Sequence, residues 1–238
     1  SNIVVINVHK PVTNNLISLI SGSGNDTTLC SGSVPNTIIG SIPEGGTDLP
    51  DDYAYQWSFS VDGTTFTDIN TGGTLKDYKP GPLTTTTWFR RRTISGLCSS
   101  LSNSIKITVL PPITDNVITS AKSSVCYNQV PVTIAGTGLT GGAGGTPKWI
   151  WQQSADGNTW SSASGINNQQ NYTPPALTAK RWYRRIILSG PADCCSSISN
   201  VISIDIDPLP TGRIITTSDT SLCNGQKVRL RVLLTGAS

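Results

Sequence analysis

The segment WSFSVDGTTF (57–66) returns 94 residues later in the chain as WQQSADGNTW (151–160). The offset of 94 holds without a gap from Trp57–Arg91 to Trp151–Arg185, across shared tryptophans, a shared Asp-Gly pair and a shared Arg-Arg pair. Self-similarity at a fixed spacing is the signature of a chain built from repeated structural units. The match therefore predicts two copies of one domain.

The rest of the chain extends the repeat in both directions. After the Arg-Arg pair the offset becomes 97, and CSSLSN (98–103) matches CSSISN (195–200). The opening residues match the end of the first copy, and the closing residues match the beginning of the second. The predicted period is about 97 residues, with 1–11 as the last strand of a preceding repeat, 12–112 and 113–210 as complete repeats (repeat 1 and repeat 2), and 211–238 as the start of a following repeat.

Hydrophobic residues alternate with a period of two along much of the chain, which is typical of half-buried strands. In SIKITV (104–109), for example, Ile105, Ile107 and Val109 share one face. Gly, Pro and Asn clusters separate such runs at the spacing of an all-β sandwich with about seven strands. We therefore predict an all-β fold of tandem immunoglobulin-like β-sandwiches, with the core of each repeat marked by Trp57 and Tyr78 or by Trp151 and Tyr172.

The composition argues against several kinds of protein. Of the 238 residues, 13% are charged and 36% are hydrophobic, and the net charge is only +3. The arginines fall singly or in two short runs and not along one basic face, so nucleic acid is not an expected partner. No apolar run approaches the roughly 18 residues that a membrane span requires, so the chain is not expected to span a membrane.

The six cysteines occupy two recurring positions of the repeat. Regularly placed cysteines in a Ser/Thr-rich β protein are typical of an oxidising, extracytoplasmic compartment, so we predict structural disulfides. Pairing within one repeat and pairing between neighbouring repeats both remain open, because sequence alone does not choose between them. We expect every recurring cysteine to be oxidised. The candidates are Cys30, Cys126 and Cys223 before the second strand, Cys98 and Cys195 after the Arg-Arg strand, and the extra Cys194 as the expected exception.

Catalysis and metal binding have little support in the sequence. The chain has one histidine, His9, and one glutamate, Glu44, and neither recurs in the second repeat. A nucleophile needs a base that a third group orients, and no such set repeats, so we expect no enzymatic activity, no metal and no cofactor. Asp62 and Asp156, in the shared Asp-Gly pairs, are interpreted as residues of tight hairpin turns and not as calcium ligands.

Arginines and tryptophans on the strands offer a choice between binding and packing. Adjacent strand residues point to opposite faces, so the runs Arg90–Arg92 and Arg184–Arg185 do not form one basic patch. We interpret them as solvated structural side chains, some with their stems over an aromatic ring. Exposed tryptophans could form a sugar-stacking platform, but edge packing is the more ordinary role. The tryptophans concerned are Trp88, Trp160 and Trp182.

The combined motif resembles a known family. It reads Y/W-x-W-x-x-S-x-D-G-x-T-W/F, then Y-x-P-x-x-L-x(4)-W-F/Y-R-R, then C-S-S-x-S-N-x-I. This pattern is similar to the Ig-like repeats of large type 9-secreted cell-surface proteins of Bacteroidota, and most similar to those of the gliding-motility adhesin SprB. The resemblance implies an extracellular filament attached to the cell surface. The sequence DTT (26–28) also resembles the Bacteroidota O-glycosylation sequence, with Thr27 as the candidate acceptor.

On this resemblance, the chain is expected to be a structural or adhesive stalk segment of a long surface filament, used in gliding motility or attachment. Two alternatives are a subunit of a polymerising extracellular fibre and a set of accessory repeats of a secreted polysaccharide-degrading enzyme. The expected partners are neighbouring repeats of the same chain, together with surface polysaccharide or other filament chains.

Overall fold

A computed structural model of the chain describes residues 3–4, 6–19, 27–47, 53–209, 211–216, 224–225, 227 and 230–235. These residues form strands, loops and one 3₁₀ turn, Pro191–Asp193, which confirms the predicted all-β class. Among them, no helix has the length and apolar character needed to cross a bilayer. The chain divides into two compact units: Ser1–Thr114 with Thr140–Pro147 and Leu188–Ser196, and Asp115–Leu139 with Lys148–Ile187 and Ser197–Ser238.

Repeat 1 is a sandwich of a main sheet and a second layer of shorter strand pairs. The main sheet has the order β3-β10-β8-β6-β7, with β9 pairing to β8. In the second layer β1 pairs with β5, and β2 pairs with β4. The strands are β1 (Lys10–Thr13), β2 (Ile17–Leu19), β3 (Thr28–Cys30), β4 (Ile38–Gly40), β5 (Glu44–Gly46), β6 (Ala54–Ser60), β7 (Thr67–Asp68), β8 (Thr87–Ser95), β9 (Cys98–Leu101) and β10 (Ile105–Leu110).

Repeat 2 has the same topology in its main sheet. The order is β12-β18-β16-β14-β15, with β17 pairing to β16, and β11 pairs with β13 in the second layer. In both repeats the first strand of this sheet runs parallel to its neighbour, as β3 does along β10 and β12 along β18. The strands are β11 (Ile118–Thr119), β12 (Ser124–Cys126), β13 (Ala135–Gly136), β14 (Lys148–Ser154), β15 (Ser161–Ser162), β16 (Arg181–Ser189), β17 (Cys195–Ile198) and β18 (Ile202–Asp207).

Each core lies between the main sheet and the second layer. Trp57 on β6 and Trp151 on β14 are both 0% exposed, because alternate residues of these strands face inward. Trp57 packs against Tyr78 with ring centroids 5.6 Å apart, and Trp151 packs against Tyr172 at 5.3 Å. Trp57, Trp151 and Tyr172 are therefore buried core residues, and Tyr78 packs against the core of repeat 1 while partly exposed.

The second layer has more and shorter strands than the seven-strand expectation implied. In repeat 1 two antiparallel strands are each interrupted, so that one long pair becomes β1–β5 and β2–β4. Asn14 has a left-handed backbone (φ 53°) at one interruption, and Asp115 (φ 58°) has the equivalent conformation in repeat 2. Such backbone stops a regular ladder, because adjacent N–H and C=O groups no longer point at the neighbouring strand.

The two ends of the chain carry short described segments. The described residues among 3–9 form no strand, while Lys10 and Pro11 belong to β1, which pairs with β5 of repeat 1. Near the other end, β19 (Thr211–Thr216) and β20 (Leu230–Thr235) form an antiparallel pair. The assignment of 1–11 and 211–238 to further repeats stays a prediction.

Candidate functional site

Three cysteine sulfur atoms lie together in the first compact unit. Cys30, at the end of β3, forms a disulfide with Cys195, at the start of β17, with a Cα–Cα distance of 5.4 Å. The sulfur of Cys194 lies 3.2 Å from that of Cys30 and 3.8 Å from that of Cys195. The disulfide joins a residue of repeat 1 to a residue of repeat 2 across a sequence separation of 165. Of the two pairings left open by the sequence, the structure has the one between repeats.

The remaining described cysteines, Cys98 and Cys126, are free thiols. The expectation that every recurring cysteine is oxidised is therefore wrong for these two within this chain. Cys30 pairs with the second cysteine position of the next repeat, and neither Cys98 nor Cys126 has a partner at the equivalent step within residues 1–238. Cys223 lies outside the described residues.

The second site is a buried arginine in the interior of repeat 2. Arg185 on β16 is 0% exposed. Its Nε and Nη2 atoms donate to Asn116 Oδ1 at 3.1 and 2.8 Å. Its Nη1 donates to the Gln170 carbonyl at 2.8 Å, and Nη2 donates to the Thr137 carbonyl at 3.0 Å. Burial lowers the pKa of Arg185 to about 10, so the guanidinium remains charged at neutral pH.

Repeat 1 contains the same arrangement around Arg91, which is also 0% exposed. Arg91 Nε and Nη2 donate to Asn15 Oδ1 at 3.0 and 2.8 Å. The other donors reach the carbonyls of Lys76 and Ser41, each at 2.9 Å. The interpretation of these arginines as solvated is therefore wrong for one member of each run, because the inward-facing arginine is fully enclosed and satisfied by oxygen acceptors.

The buried arginine explains the interrupted strands of the second layer. Ser41 and Thr137 follow β4 and β13 at the points where the ladder breaks, and their carbonyls accept from the guanidinium instead of from a strand. A buried carbonyl without a donor costs free energy, and a charged donor satisfies it strongly. The arginine thus takes over hydrogen bonds that a regular strand pair would make.

A glycine opposite each guanidinium makes room for it. A Cβ atom added to Gly136 would overlap Arg185 Nη1 and would lie 2.6 Å from the Gln170 carbonyl oxygen. A Cβ atom added to Gly40 would overlap Arg91 Nη1 in the same way. These two positions therefore require glycine because of a close approach by the arginine.

A Ser-Asn pair after β9 or β17 makes further hydrogen bonds between the arginine strand and the second layer. Ser102 Oγ accepts from the Arg91 backbone N–H at 2.9 Å. Asn103 Oδ1 accepts from the Ile17 N–H at 2.8 Å, and its Nδ2 donates to the Ile17 carbonyl at 3.0 Å, so one side chain ties β2 to the main sheet. In repeat 2 the same bonds are made by Ser199 and Asn200 to Arg185 and Ile118.

The Arg-Asn-Gly arrangement was missed in the sequence, although a signal for it exists. TNNLIS (13–18) matches TDNVIT (114–119), which aligns the two arginine-binding asparagines, and IIGS (38–41) matches IAGT (134–137), which aligns the two glycines. These matches are too short to stand out by themselves. Their meaning depends on a side chain that lies far away in the sequence.

The Asp-Gly pairs lie in hairpin turns, as predicted, one between the antiparallel strands β6 and β7 and the other between β14 and β15. Residues 61–66 connect β6 to β7, and Asp62 Oδ1 accepts the N–H groups of Thr64 and Thr65, both at 2.7 Å. These bonds hold the pKa of Asp62 well below its ordinary range. Asp156 is bound in the same way in repeat 2, and its pKa is lowered for the same reason. Gly157 (φ 79°) turns the chain, and a Cβ atom added there would lie 3.4 Å from the Trp182 ring.

The three half-buried tryptophans on the strand faces each lie against a cationic side chain. Arg184 lies 4.3 Å above the Trp160 ring, and Lys180 lies 5.1 Å from Trp182. Trp88 has Lys106 at 5.1 Å. Each of the three tryptophans considered for sugar stacking thus has a cation over its ring, which favours the packing role.

The residues considered for catalysis, His9 and Glu44, do not form a catalytic centre among the described residues. His9 and Glu44 are both exposed, and Glu44 lies on the short strand β5. Within the described ranges, the cysteine cluster is the single group of three or more His, Cys, Asp or Glu side chains close enough to hold a metal ion. Thr27 is exposed beside β3, while the preceding Asp26 lies outside the described residues.

Comparison with solved structures finds matches at low sequence identity. The fibronectin(III)-like modules of Clostridium thermocellum CbhA are 12% identical and have a TM-score of 0.38, with 80% of this chain and 94% of that chain covered. Titin domains A168–A170 are 14% identical with a TM-score of 0.43, covering 83% and 68%. Murine CEACAM1b is 14% identical with a TM-score of 0.35, covering 76% and 96%.

No curated protein sequence matches the chain. One family model matches it twice, over residues 20–111 and 115–208, which lie within the two sandwiches described above. The chain therefore belongs to the family described as a domain of unknown function (DUF8696), of which it carries two consecutive copies.

Proposed function

We propose that the chain is a non-enzymatic stalk segment of a long extracellular surface filament, and that its role is to bear load between a cell and an adhesive or enzymatic end. The observation that carries this proposal is the Cys30–Cys195 disulfide, which joins one repeat covalently to the next. Disulfides persist in oxidising compartments, so such a link fits an extracellular domain. Tandem immunoglobulin-like domains also fit a structural or adhesive role.

The mechanical part of the role follows from where the disulfide divides the chain. Force applied to the two ends must pass through the disulfide, because it closes a loop with a sequence separation of 165. An extended residue spans roughly 3.5 Å, so the bond withholds on the order of 580 Å of contour length from any pull. A stalk built this way extends little even when its sandwiches unfold.

The surface location rests on the repeat motif. Its similarity to the repeats of type 9-secreted Bacteroidota proteins supports attachment to the outside of the cell, and a gliding or attachment adhesin is the proposed full-length protein. Neighbouring repeats of the same chain are the proposed first partners. Surface polysaccharide or other filament chains are proposed as further partners.

The location is tested with an antibody against residues 12–210 on intact cells that produce the protein. We expect labelling before permeabilisation, along extensions outside the cell envelope in electron micrographs. Labelling that appears only after permeabilisation would contradict the proposal. A pattern of lateral bundles made of many chains would favour the fibre alternative instead.

The mechanical role is tested by single-molecule stretching of the full chain held at its two ends. We expect the total extension of the oxidised chain to be shorter than that of a Cys30→Ser variant by roughly 580 Å, from the residue length above. Cys98→Ser is the matched control, since Cys98 is a free thiol, and it should stretch like the unchanged chain. Equal extension of the oxidised chain and Cys30→Ser would remove the load-bearing role of the bond.

A further inference from the structure

The hairpin that carries Cys194 is longer than its counterpart in repeat 1. In repeat 1 β8 ends at Ser95 and β9 begins at Cys98, with two residues between them. In repeat 2 β16 ends at Ser189 and β17 begins at Cys195, with the residues Gly-Pro-Ala-Asp-Cys between them. The three extra residues thus bring a second cysteine next to the one that forms the disulfide.

The backbone of this insertion is unusual. Ala192 (φ 51°) and Asp193 (φ 58°) both have left-handed conformations, and they form the 3₁₀ turn just before Cys194. Non-glycine residues rarely adopt this region, and strained backbone tends to persist where it positions a functional group. Gly190 packs directly on the sulfurs, because an added Cβ would lie 2.8 Å from Cys194 Sγ and 3.8 Å from Cys195 Sγ.

The three sulfurs are arranged so that Cys30 has two partners within reach. All three lie within 4.8 Å of one another, and the free sulfur of Cys194 is 3.2 Å from the bonded sulfur of Cys30. Cys194 is exposed, so its side chain can rotate without displacing core residues. Cys195, in contrast, is only 3% exposed. A buried cysteine can remain as a thiol, since it behaves as a small apolar side chain.

We propose that Cys194 exchanges with the Cys30–Cys195 disulfide, so that the link between the two repeats alternates between two isomers. The Cys194 thiolate attacks Cys30 Sγ, a Cys194–Cys30 bond forms, the Cys30–Cys195 bond breaks, and Cys195 leaves as a thiolate that takes up the proton lost by Cys194. One disulfide and one thiol are present before and after, so the step needs no oxidant or reductant. Attack by a thiolate on a disulfide sulfur is the general route of such rearrangements.

The exchange keeps the two repeats joined while it changes the residue of repeat 2 to which the link attaches. In the Cys30–Cys195 isomer the bond attaches to the first residue of β17, which pairs with β16. In the Cys30–Cys194 isomer it attaches to the exposed turn before that strand. If an external thiol opened the disulfide, either Cys194 or Cys195 could form it again with Cys30.

The test maps the free thiol in the native full chain. The protein is incubated at pH 8 without added thiol or oxidant, quenched in acid and denatured, and its free thiols are blocked with N-ethylmaleimide. The disulfide is then reduced and labelled with deuterated N-ethylmaleimide. Fragment-ion mass spectrometry of the peptide with both neighbouring cysteines reads which of Cys194 and Cys195 carries the first label. We expect the first label on Cys194 in some molecules and on Cys195 in others.

Two variants make the result decisive. In Cys194→Ser the exchange is impossible, so the first label on Cys195 should fall to background, and the unchanged chain must exceed that background. In Cys195→Ser we expect a Cys30–Cys194 disulfide to form when the chain folds oxidatively. No excess of Cys195 label over Cys194→Ser would overturn the proposal, and so would a Cys195→Ser chain in which Cys30 and Cys194 both remain free thiols.

Discussion

Replacing Arg185 by methionine should destabilise repeat 2 far more than the same replacement of its neighbour Arg184. Arg185 supplies every guanidinium bond described above to Asn116, Gln170 and Thr137. Methionine keeps most of the apolar stem but leaves the buried Asn116 side chain and two partly buried carbonyls, those of Gln170 and Thr137, without these donors. A buried acceptor left unsatisfied costs about 1–3 kcal/mol, and a partly buried one costs less because water can reach it. We expect a loss of about 2–4 kcal/mol of unfolding free energy for Arg185→Met, from one buried acceptor and two partly buried ones.

Arg184→Met is the matched control, because it removes the same charge from the adjacent residue of β16. Arg184 lies on the other face, where its Nε donates to Gln152 Oε1 at 2.7 Å and the guanidinium lies over Trp160. A partly exposed contact of this kind contributes about 1 kcal/mol or less. The two variants should therefore differ by at least about 1 kcal/mol, the difference between these two ranges.

The assay is urea unfolding of the full chain, monitored by tryptophan fluorescence. Hydrogen-exchange mass spectrometry then assigns the loss of stability to repeat 2. The pair Arg91→Met and Arg90→Met repeats the comparison in repeat 1, where Arg91 is the buried member and Arg90 lies over Phe66. Equal destabilisation by both members of a pair would refute the argument, because it would mean that the enclosed hydrogen bonds contribute no more than a surface contact.

Three further outcomes can be measured on the same chain. Gly136→Ala should destabilise repeat 2 by about 1–3 kcal/mol or more in urea unfolding, as overpacking does, whereas Gly138→Ala, where an added Cβ meets nothing within 4 Å, should be nearly neutral. The pKa of Asp156 is lower in the folded chain than its ordinary value, so its stabilising effect is fully present above about pH 4 and is lost as the pH falls toward the folded pKa. The urea unfolding curves of the unchanged chain and of an Asp156→Ala variant should therefore converge in strong acid. Cys30→Ser should lower the unfolding free energy by about 2–4 kcal/mol, the usual contribution of a disulfide, while Cys98→Ser changes it little; equal effects would mean that the disulfide does not stabilise the fold.

The sequence by itself was sufficient for the features encoded locally along the chain. The recurrence of WSFSVDGTTF as WQQSADGNTW, and alternation such as that of Ile105 and Ile107, led to the correct all-β class and to two sandwiches. Trp57 and Trp151 were identified as core residues because a large aromatic residue on an alternating strand is most stable when it faces inward. The Asp-Gly pairs were recognised as turns for a similar reason, since left-handed backbone favours glycine.

Only the tertiary structure decided which of two neighbouring arginines is buried. Arg90 and Arg91 are the same residue type on one strand, and alternation says only that they face opposite sides. The choice depends on Asn15, Gly40 and the carbonyl of Ser41, which come from a different layer. Together with the Lys76 carbonyl they create a site that accepts four hydrogen bonds from the guanidinium. The cysteine pairing was open for the same reason: a disulfide depends on the distance between two Cα atoms, and residues separated by 165 positions are brought to 5.4 Å by folding and not by any local pattern.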